Sequence, residues 1–162
     1  MKPDTESQTI DLPLEGGCAC AALRYRLGSA PVLLFACHCH QCQRQSGSAF
    51  GLSLRVRRAD LTLSGPFKTR LRQTERNTAS ETVFCPACGA RIFNARPGTD
   101  FCHLRGGTLD ETGWLRPAAH IWTDSAQPWM RFDAGTLVYP GQPNDLSAIE
   151  RLWQDRMAPR FR

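Results

Sequence analysis

The stretch Cys37-His38-Cys39-His40-Gln41-Cys42 places three cysteines within six residues. Two further pairs stand on either side of this middle group, in Cys18-Ala19-Cys20 and in Cys85-Pro86-Ala87-Cys88. The eighth cysteine, Cys102, is separate from all three clusters. Spacings this short bring several thiolates into one turn, as a metal site requires, so the cysteines are the most informative residues of the chain.

The compartment decides between metal binding and disulfides. Residues 1–6 are polar and no apolar segment follows them, so we expect no secretory signal and predict a cytoplasmic protein. Disulfides are rare in the reducing cytoplasm, where closely spaced cysteines more often bind metal. Disulfide pairing would also leave one cysteine of the three-cysteine middle group unpaired. Zinc is the favoured metal, although thiolate-rich sites also hold iron–sulfur clusters.

The two outer pairs fit one closed structural zinc site. Cys85 and Cys88 have the two-residue gap of a zinc knuckle, and Gly89 after them suits a tight turn. Cys18 and Cys20 can supply two more thiolates from a second turn. Four cysteine ligands complete a tetrahedron, so this site would tie the N-terminal segment to the centre of the chain.

The middle group, Cys37, Cys39 and Cys42, has no partner pair. Three protein ligands with one open position are typical of a catalytic zinc. A fourth ligand would make the site structural instead, and it could come from His38, His40, His103 or Cys102. The clusters together predict two zinc ions per chain. Outside such a role, a lone cysteine is usually a small buried apolar residue, as we expect for Cys102.

Composition restricts the class of protein. The chain has 162 residues, of which 41% are hydrophobic and 22% charged, as in one globular domain. No apolar run is long enough for a membrane helix. The net charge of +5 is carried almost entirely by scattered arginines without a basic stripe, so we expect no nucleic-acid partner. A mild positive field does suit a small anionic substrate.

Short alternating segments predict a mainly β fold in a single domain over residues 11–162, with residues 1–10 as a flexible tail. A helical turn over His40 to Ser46 would carry Cys42. A terminal helix is expected after Pro143, capped by Asn144 or Ser147. Its apolar face would comprise Leu146, Ile149, Trp153 and Met157. The predicted strands are Leu23–Leu27, Val32–Ala36, Phe50–Arg57, Leu61–Ser64, and a hairpin of Phe67–Thr74 with Glu81–Phe84.

The three clusters in this order resemble the glutathione-dependent formaldehyde-activating enzyme family, which includes centromere protein V. The resemblance rests on Gly16 to Cys20, Cys37 to Phe50 and Phe84 to Gly89. Later landmarks agree, namely Gly107 to Asp110, Pro117 to Ile121, and Pro128-Trp129. The family's first cluster often continues Cys-x-Cys-Gly, whereas Ala21 follows Cys20 here.

The resemblance implies a β-tent fold of several twisted antiparallel sheets pinned by zinc. It implies that Cys18, Cys20, Cys85 and Cys88 hold a structural zinc and that Cys37, Cys39 and Cys42 hold a reactive one. The implied reaction is the reversible joining of glutathione and formaldehyde, a carbon–sulfur lyase activity. The implied partners are therefore a small anionic thiol and a small aldehyde.

Candidates for the remaining chemistry lie beside the middle group. His38 and His40 are the nearest groups that could move a proton, although a histidine beside a metal knuckle more often packs or orients a ligand. Arg44 could meet a carboxylate of the thiol or be a solvated surface charge. Two alternatives remain open: a non-enzymatic zinc-stabilised binding module, and a related carbon–sulfur enzyme with another thiol or aldehyde.

Overall fold

The computed structural model describes residues 9–74 and 77–162 of the chain. This part contains eleven strands, two α-helices and several short 3-10 turns, which confirms a mainly β fold with a short C-terminal helix. The strands are β1 (Leu14–Gly17), β2 (Arg24–Leu27), β3 (Leu33–Cys37), β4 (Gly51–Arg57), β5 (Leu61–Ser64), β6 (Lys68–Gln73), β7 (Ala79–Phe84), β8 (Arg91–Ala95), β9 (Phe101–Arg105), β10 (Ala119–Ile121) and β11 (Leu137–Tyr139). The helices are α1 (His40–Ser46) and α2 (Ser147–Met157).

The strands form two sheets. β1, β2 and β5 make a small antiparallel sheet, and the others make a large sheet in the order β11-β10-β3-β4-β9-β8-β7-β6. Pairing is antiparallel throughout except at β10, which runs parallel to both β3 and β11. The expectation of antiparallel sheets misses these two pairings. Residues 122–136 join β10 to β11, a connection long enough to bring the chain back in the same direction.

One face of the large sheet forms the hydrophobic core. Leu54 of β4 lies opposite Leu104 of β9, which in turn lies opposite Phe93 of β8, and all three are fully buried. Trp153 of α2 joins the same core and donates from Nε1 to the carbonyl of Pro31 at 3.3 Å. Burial of each of these large side chains contributes about 2 kcal/mol, so the helix and the sheet stabilise each other.

The opposite face of the large sheet is polar. Successive strand residues alternate between faces and cross-strand partners share a face. Ser53 of β4 therefore shares a face with its partner Arg105 of β9. His103 of β9 continues this polar face to its partner Asn94 of β8, and Asn94 continues it to Thr82 of β7. Because the core lies behind the sheet, these polar side chains are free to build a site.

The terminal helix begins at Ser147, but neither predicted residue caps it. Leu146 occupies the cap position and makes no side-chain cap bond. Instead Oδ1 of Asp145 accepts a 2.8 Å hydrogen bond from the backbone N–H of Ser147. A carboxylate satisfies a free N–H at a helix start better than a neutral group, which explains the difference. The predicted apolar face is present, with Ile149 and Met157 buried in the core.

Most of the predicted N-terminal tail lies outside the described residues, since the description begins at Thr9. Ile10, the last residue of that predicted tail, is only 5% exposed. Its N–H donates to the carbonyl of Arg160 at 2.7 Å, and it forms a bridge with Phe161. Ile10 therefore belongs to the folded part of the described chain, while the single domain and the flexible tail stay predictions.

Candidate metal centres and the pocket beside them

The outer cysteine pairs converge on one point. The Sγ atoms of Cys18, Cys20, Cys85 and Cys88 all lie within 4.8 Å of one another. The Cys18 and Cys20 sulfurs are 3.5 Å apart and the Cys20 and Cys85 sulfurs 3.8 Å apart, and all these cysteines are free. A tetrahedral zinc with bonds of about 2.3 Å separates its sulfurs by about 3.8 Å. The four thiolates therefore fit a zinc ion and not a disulfide.

The backbone around Cys18 already favours its thiolate form. The N–H of Leu23 donates to Sγ of Cys18 at 3.2 Å. This bond is the main cause that lowers the pKa of Cys18 to about 6, because it stabilises the charged form. A ligand that ionises near neutral pH binds a metal without a large cost of deprotonation.

The turn that carries the first two ligands, Cys18 and Cys20, contains a strained residue directly after Cys20. Ala21 has φ of +61°, in the left-handed region that glycine occupies without cost. Its N–H donates to the carbonyl of Cys18 at 3.1 Å, which closes the turn. Alanine at this position therefore closes the turn at the expense of backbone strain.

The middle group forms a second site with three ligands. Cys37 ends β3, Cys39 precedes α1, and Cys42 lies in its first turn. The three Sγ atoms lie within 4.8 Å of one another, with 3.6 Å between those of Cys37 and Cys39. Among the described residues, no histidine and no further cysteine joins this group. The three thiolates could hold a metal ion, and the described residues supply no fourth ligand to it.

The three cysteines line a pocket of about 270 Å³ on the polar face of the large sheet. We call it the cysteine pocket. Its apolar wall comes from β3, β10 and the residue after β10, and its floor from β4, β8 and β9. The lining residues used below are Phe35, Gln41, Gln45, Ser53, Arg72, Thr74, Thr78, Asn94, His103, Arg105, Trp122 and Leu146.

Two arginines, Arg72 and Arg105, line the cysteine pocket, and among the described lining residues there is no Asp or Glu. Arg72 donates to Oε1 of Gln41 at 2.9 Å, and Arg105 donates to Oδ1 of Asn94 at 2.7 Å. Beside the pocket, a third guanidinium, Arg91, donates to a glutamine side chain of α1. The Nε atoms of all three arginines are buried without a partner in the described part of the chain. Neutral amides thus orient the guanidinium groups and leave their charge available for an anion.

The arginines also act on the thiolates. A β-carbon at Gly51 would lie 3.1 Å from Nη1 of Arg105 and 3.8 Å from Sγ of Cys42, so the glycine allows these two groups to approach. Hydrogen bonds from the neighbouring thiols lower the pKa of Cys42, and the charges of Arg105 and Arg91 lower it further. Burial lowers the pKa of Arg91 to about 9, with a contribution from Arg105, and leaves it protonated at neutral pH.

A histidine and a serine face the same pocket. Nδ1 of His103 lies 3.0 Å from Oγ of Ser53, and the imidazole packs edge-on against Phe35. Burial lowers the pKa of His103 to about 4, and the charges of Arg55 and Arg105 act in the same direction. The imidazole is therefore neutral at pH 7 and can both accept and donate a proton.

A comparison with known families decides what kind of protein carries this site. Residues 13–125, more than half of the chain, match the family model described as glutathione-dependent formaldehyde-activating enzyme. The chain belongs to this family. The matched range includes every cysteine of both clusters and the whole polar floor of the cysteine pocket, whereas β11 and α2 lie beyond it.

Two further comparisons do not bear on the family assignment. A crystal structure of a Rhodobacter sphaeroides protein, a structural-genomics target, matches with a TM-score of 0.49 and 18% sequence identity. That match covers 77% of this chain and 98% of the other. No curated protein matches the chain. The assignment therefore rests on the family match over residues 13–125.

The structure places the other predicted site residues of this family member outside the pocket. His38 is fully buried on the far side of β3, where its Nε2 lies 2.9 Å from Nδ1 of His120. Strand alternation explains this, because neighbours of Cys37 point to the opposite face. His40 and Arg44 are exposed on α1. Arg44 follows Cys42 by two residues, about 200° around the helix, and so does not line the pocket.

Cys102 belongs to neither metal group. It is fully buried in the core, and burial raises the pKa of its thiol to about 11. This matches the expected role of a small apolar residue.

The sequence alone did not point to the arginines of the pocket or to Ser53. Alternation within β4 and β9 places Ser53 and Arg55 on one face, and likewise His103 and Arg105. This alternation is visible in the sequence, but the pairing of β4 with β9 is not.

None of the described helices has the length and apolar character needed to cross a membrane.

Proposed function

We propose that this family member is a zinc-dependent carbon–sulfur lyase that reversibly joins a small anionic thiol and a small aldehyde at Cys37, Cys39 and Cys42. The observation that carries the proposal is that these three thiolates open into a pocket whose described lining residues include two arginines and no Asp or Glu. The family description names glutathione and formaldehyde, which are the first pair to test. We further propose a second, structural zinc at Cys18, Cys20, Cys85 and Cys88.

A zinc ion at the three-cysteine group would lower the pKa of a bound thiol and polarise a carbonyl oxygen. The protein supplies the surroundings. Arg72 and Arg105 attract the anionic thiol and orient its carboxylate through charge-assisted hydrogen bonds. They also offset the negative charge of the cysteine thiolates, which would otherwise repel an anionic substrate.

The addition forms one S–C bond and converts the C=O double bond of the aldehyde into a C–O–H group. The thiol loses its proton and the aldehyde oxygen gains one. A side chain that transfers a proton between them therefore accelerates both the addition and its reversal. His103 is the group in the pocket suited to this task, since it is neutral and is oriented by Ser53. A bound anion beside Arg105 would raise the pKa of His103 from its low value, which makes the imidazole a better base.

The pocket also bears on the alternatives. A binding module with a saturated metal and a flat surface would need neither the pocket nor arginines directed into it. A carbon–sulfur enzyme with another thiol or aldehyde would use the same residues, so the choice of substrates must be measured. The proposed compartment is the cytoplasm, where cellular thiols are reduced.

The test is the exchange between free aldehyde and hemithioacetal, measured by NMR with and without the protein. The uncatalysed addition is fast, so each thiol and aldehyde pair needs its own protein-free control. We expect exchange above the control for glutathione with formaldehyde, and weaker exchange for an uncharged thiol such as 2-mercaptoethanol. Exchange at the control rate for every pair would reject the enzyme and favour the binding module.

A further inference from the structure

The cysteine pocket continues into a second chamber along the polar face of the sheet. This distal chamber has a volume of about 340 Å³, and its own lining residues include Arg55, Ser80, Arg96, Thr99 and Phe101. The two chambers share the lining residues Thr74, Thr78, Asn94, His103 and Leu146. They therefore form one groove with His103 at the junction.

The distal chamber has its own fixed positive charge. The guanidinium carbon of Arg55 lies 4.1 Å from the centroid of the Phe101 ring, a stacking contact that holds the group in place. Its Nε is buried and has no partner among the described residues. Arg96 adds a second charge at the exposed mouth, and the described lining residues include no Asp or Glu. A guanidinium that is positioned but unpaired is suited to a carboxylate.

Register gives the distance between the two charged ends of the groove. Arg55 lies two residues beyond Ser53 on β4, a spacing of about 7 Å along the strand. Ser53 is the cross-strand partner of Arg105, which approaches Cys42. A ligand that contacts both ends must therefore extend along the strand direction, which favours an extended molecule over a compact one.

We propose that the distal chamber binds a second carboxylate, carried by an extended thiol whose sulfur lies at the three-cysteine group. This inference rests on the proposed function and adds the residues that would select the substrate, with Arg55 as the main contact and Arg96 at the mouth. Short thiols with one carboxylate would leave the distal chamber unused and bind more weakly. Arg55 would thus act chiefly on the binding of the extended thiol, while its charge also lowers the pKa of His103.

Binding can be tested without turnover. S-methylglutathione has both carboxylates but no thiol, and its dimethyl ester has neither carboxylate charge. We expect calorimetry on the metal-loaded protein to show that Arg55→Gln lowers the affinity for S-methylglutathione roughly tenfold, since one charge-assisted contact is lost. The affinity for the dimethyl ester should not change. Arg151→Gln, an exposed arginine of α2, removes the same charge elsewhere and should change neither affinity.

The outcomes separate this inference from the proposed function. Three results would overturn the proposed carboxylate site in the distal chamber. Arg55→Gln could lower the affinity for both ligands equally, it could lower neither affinity, or the wild type could fail to bind S-methylglutathione. If Arg55→Gln does not fold, Arg96→Gln at the exposed mouth is tested by the same criterion, with a smaller expected loss.

Kinetics give a second, independent distinction. With glutathione as substrate, Arg55→Gln should raise KM roughly tenfold, whereas KM for N-acetylcysteine should not change. Any effect on kcat through the pKa of His103 should be the same for both thiols. A fall in kcat with KM unchanged contradicts a role in substrate selection. If no thiol is turned over but Arg55→Gln still lowers the affinity for S-methylglutathione and not for its dimethyl ester, the lyase proposal fails. The proposed carboxylate site in the distal chamber is then still supported.

Discussion

Nδ1 of His103 lies 3.0 Å from Oγ of Ser53 on the neighbouring strand, inside the pocket that the three cysteines line. The contact fixes the orientation of an imidazole that burial keeps neutral. His38 and His40 are closer to the cysteines in sequence, yet neither lines this pocket. Proton transfer in the proposed reaction is therefore assigned to a residue more than sixty positions further along the chain than the middle group.

His103→Gln should reduce the catalysed exchange roughly 100-fold, because a positioned acid–base group contributes about that factor or more. Glutamine retains a hydrogen-bonding side chain but cannot carry a proton. His40→Gln provides the matched control, since that histidine is exposed at the start of α1, and it should retain wild-type exchange. The measurement is the NMR exchange rate at saturating thiol, and full activity in His103→Gln would exclude the assignment.

The buried His103 should also make stability depend on pH. Folding lowers its pKa from 6.5 to about 4, so the unfolded chain binds more protons between these values. This contribution to stability is complete above pH 6.5 and is lost as the pH falls through 4, a change of about 3 kcal/mol.

Urea unfolding of wild type and His103→Gln at several pH values checks this expectation. At neutral pH the variant should be less stable, because packing and the bond to Ser53 are lost, and the gap should narrow as the pH falls from 6.5 to 4. Protonation of the cysteine ligands affects both chains alike and cancels in the difference. A gap that stays constant with pH would show that His103 is not buried in its neutral form.

The two cysteine groups should differ in what their loss does. Structural zinc contributes more free energy than the whole stability of a typical domain, so Cys85→Ala should leave the protein unfolded or severely destabilised. Cys39→Ala should remain folded with one zinc ion per chain, whereas elemental analysis of the wild type should give two. If thermal melts show an equally large loss of melting temperature in both variants, both groups have a structural role.

Ala21→Gly should stabilise the protein. Ala21 holds a left-handed backbone conformation, which costs about 1 kcal/mol in a residue with a β-carbon and little in glycine. The melting temperature should rise by about 2–4 °C in a domain of this size. Ala19→Gly, in the same turn but without positive φ, should instead be neutral or slightly destabilising. A loss of stability in Ala21→Gly would indicate that the turn is not strained.

The metal-binding groups could be predicted from the sequence because their ligands lie close together along the chain. Two- and three-residue spacings bring Cys37, Cys39 and Cys42 together through local geometry, and their sulfurs lie within 4.8 Å of one another. The strands β2 to β7 were also predicted from local patterns, which are alternation in β2 and β4 and a continuous apolar run in β3. The grouping of thiolates is thus a property of short segments that the fold only has to position.

The rest of the site depends on long-range pairing. Arg105 and His103 reach the cysteines because β9 pairs with β4, which pairs with β3, and no local pattern specifies that order. The parallel placement of β10 beside β3 is likewise set by tertiary packing. Proximity in sequence favoured His38 and Arg44, but strand alternation and helix rotation direct both side chains away from the pocket.

The most direct test of a reactive three-cysteine group is the NMR exchange rate between formaldehyde and its glutathione adduct in three proteins. Wild type and Cys102→Ala, which loses a thiol outside both groups, should both exceed the protein-free rate. Cys39→Ala should be folded and fall to the protein-free rate. Exchange in folded Cys39→Ala equal to that of the wild type would contradict a reaction at this group.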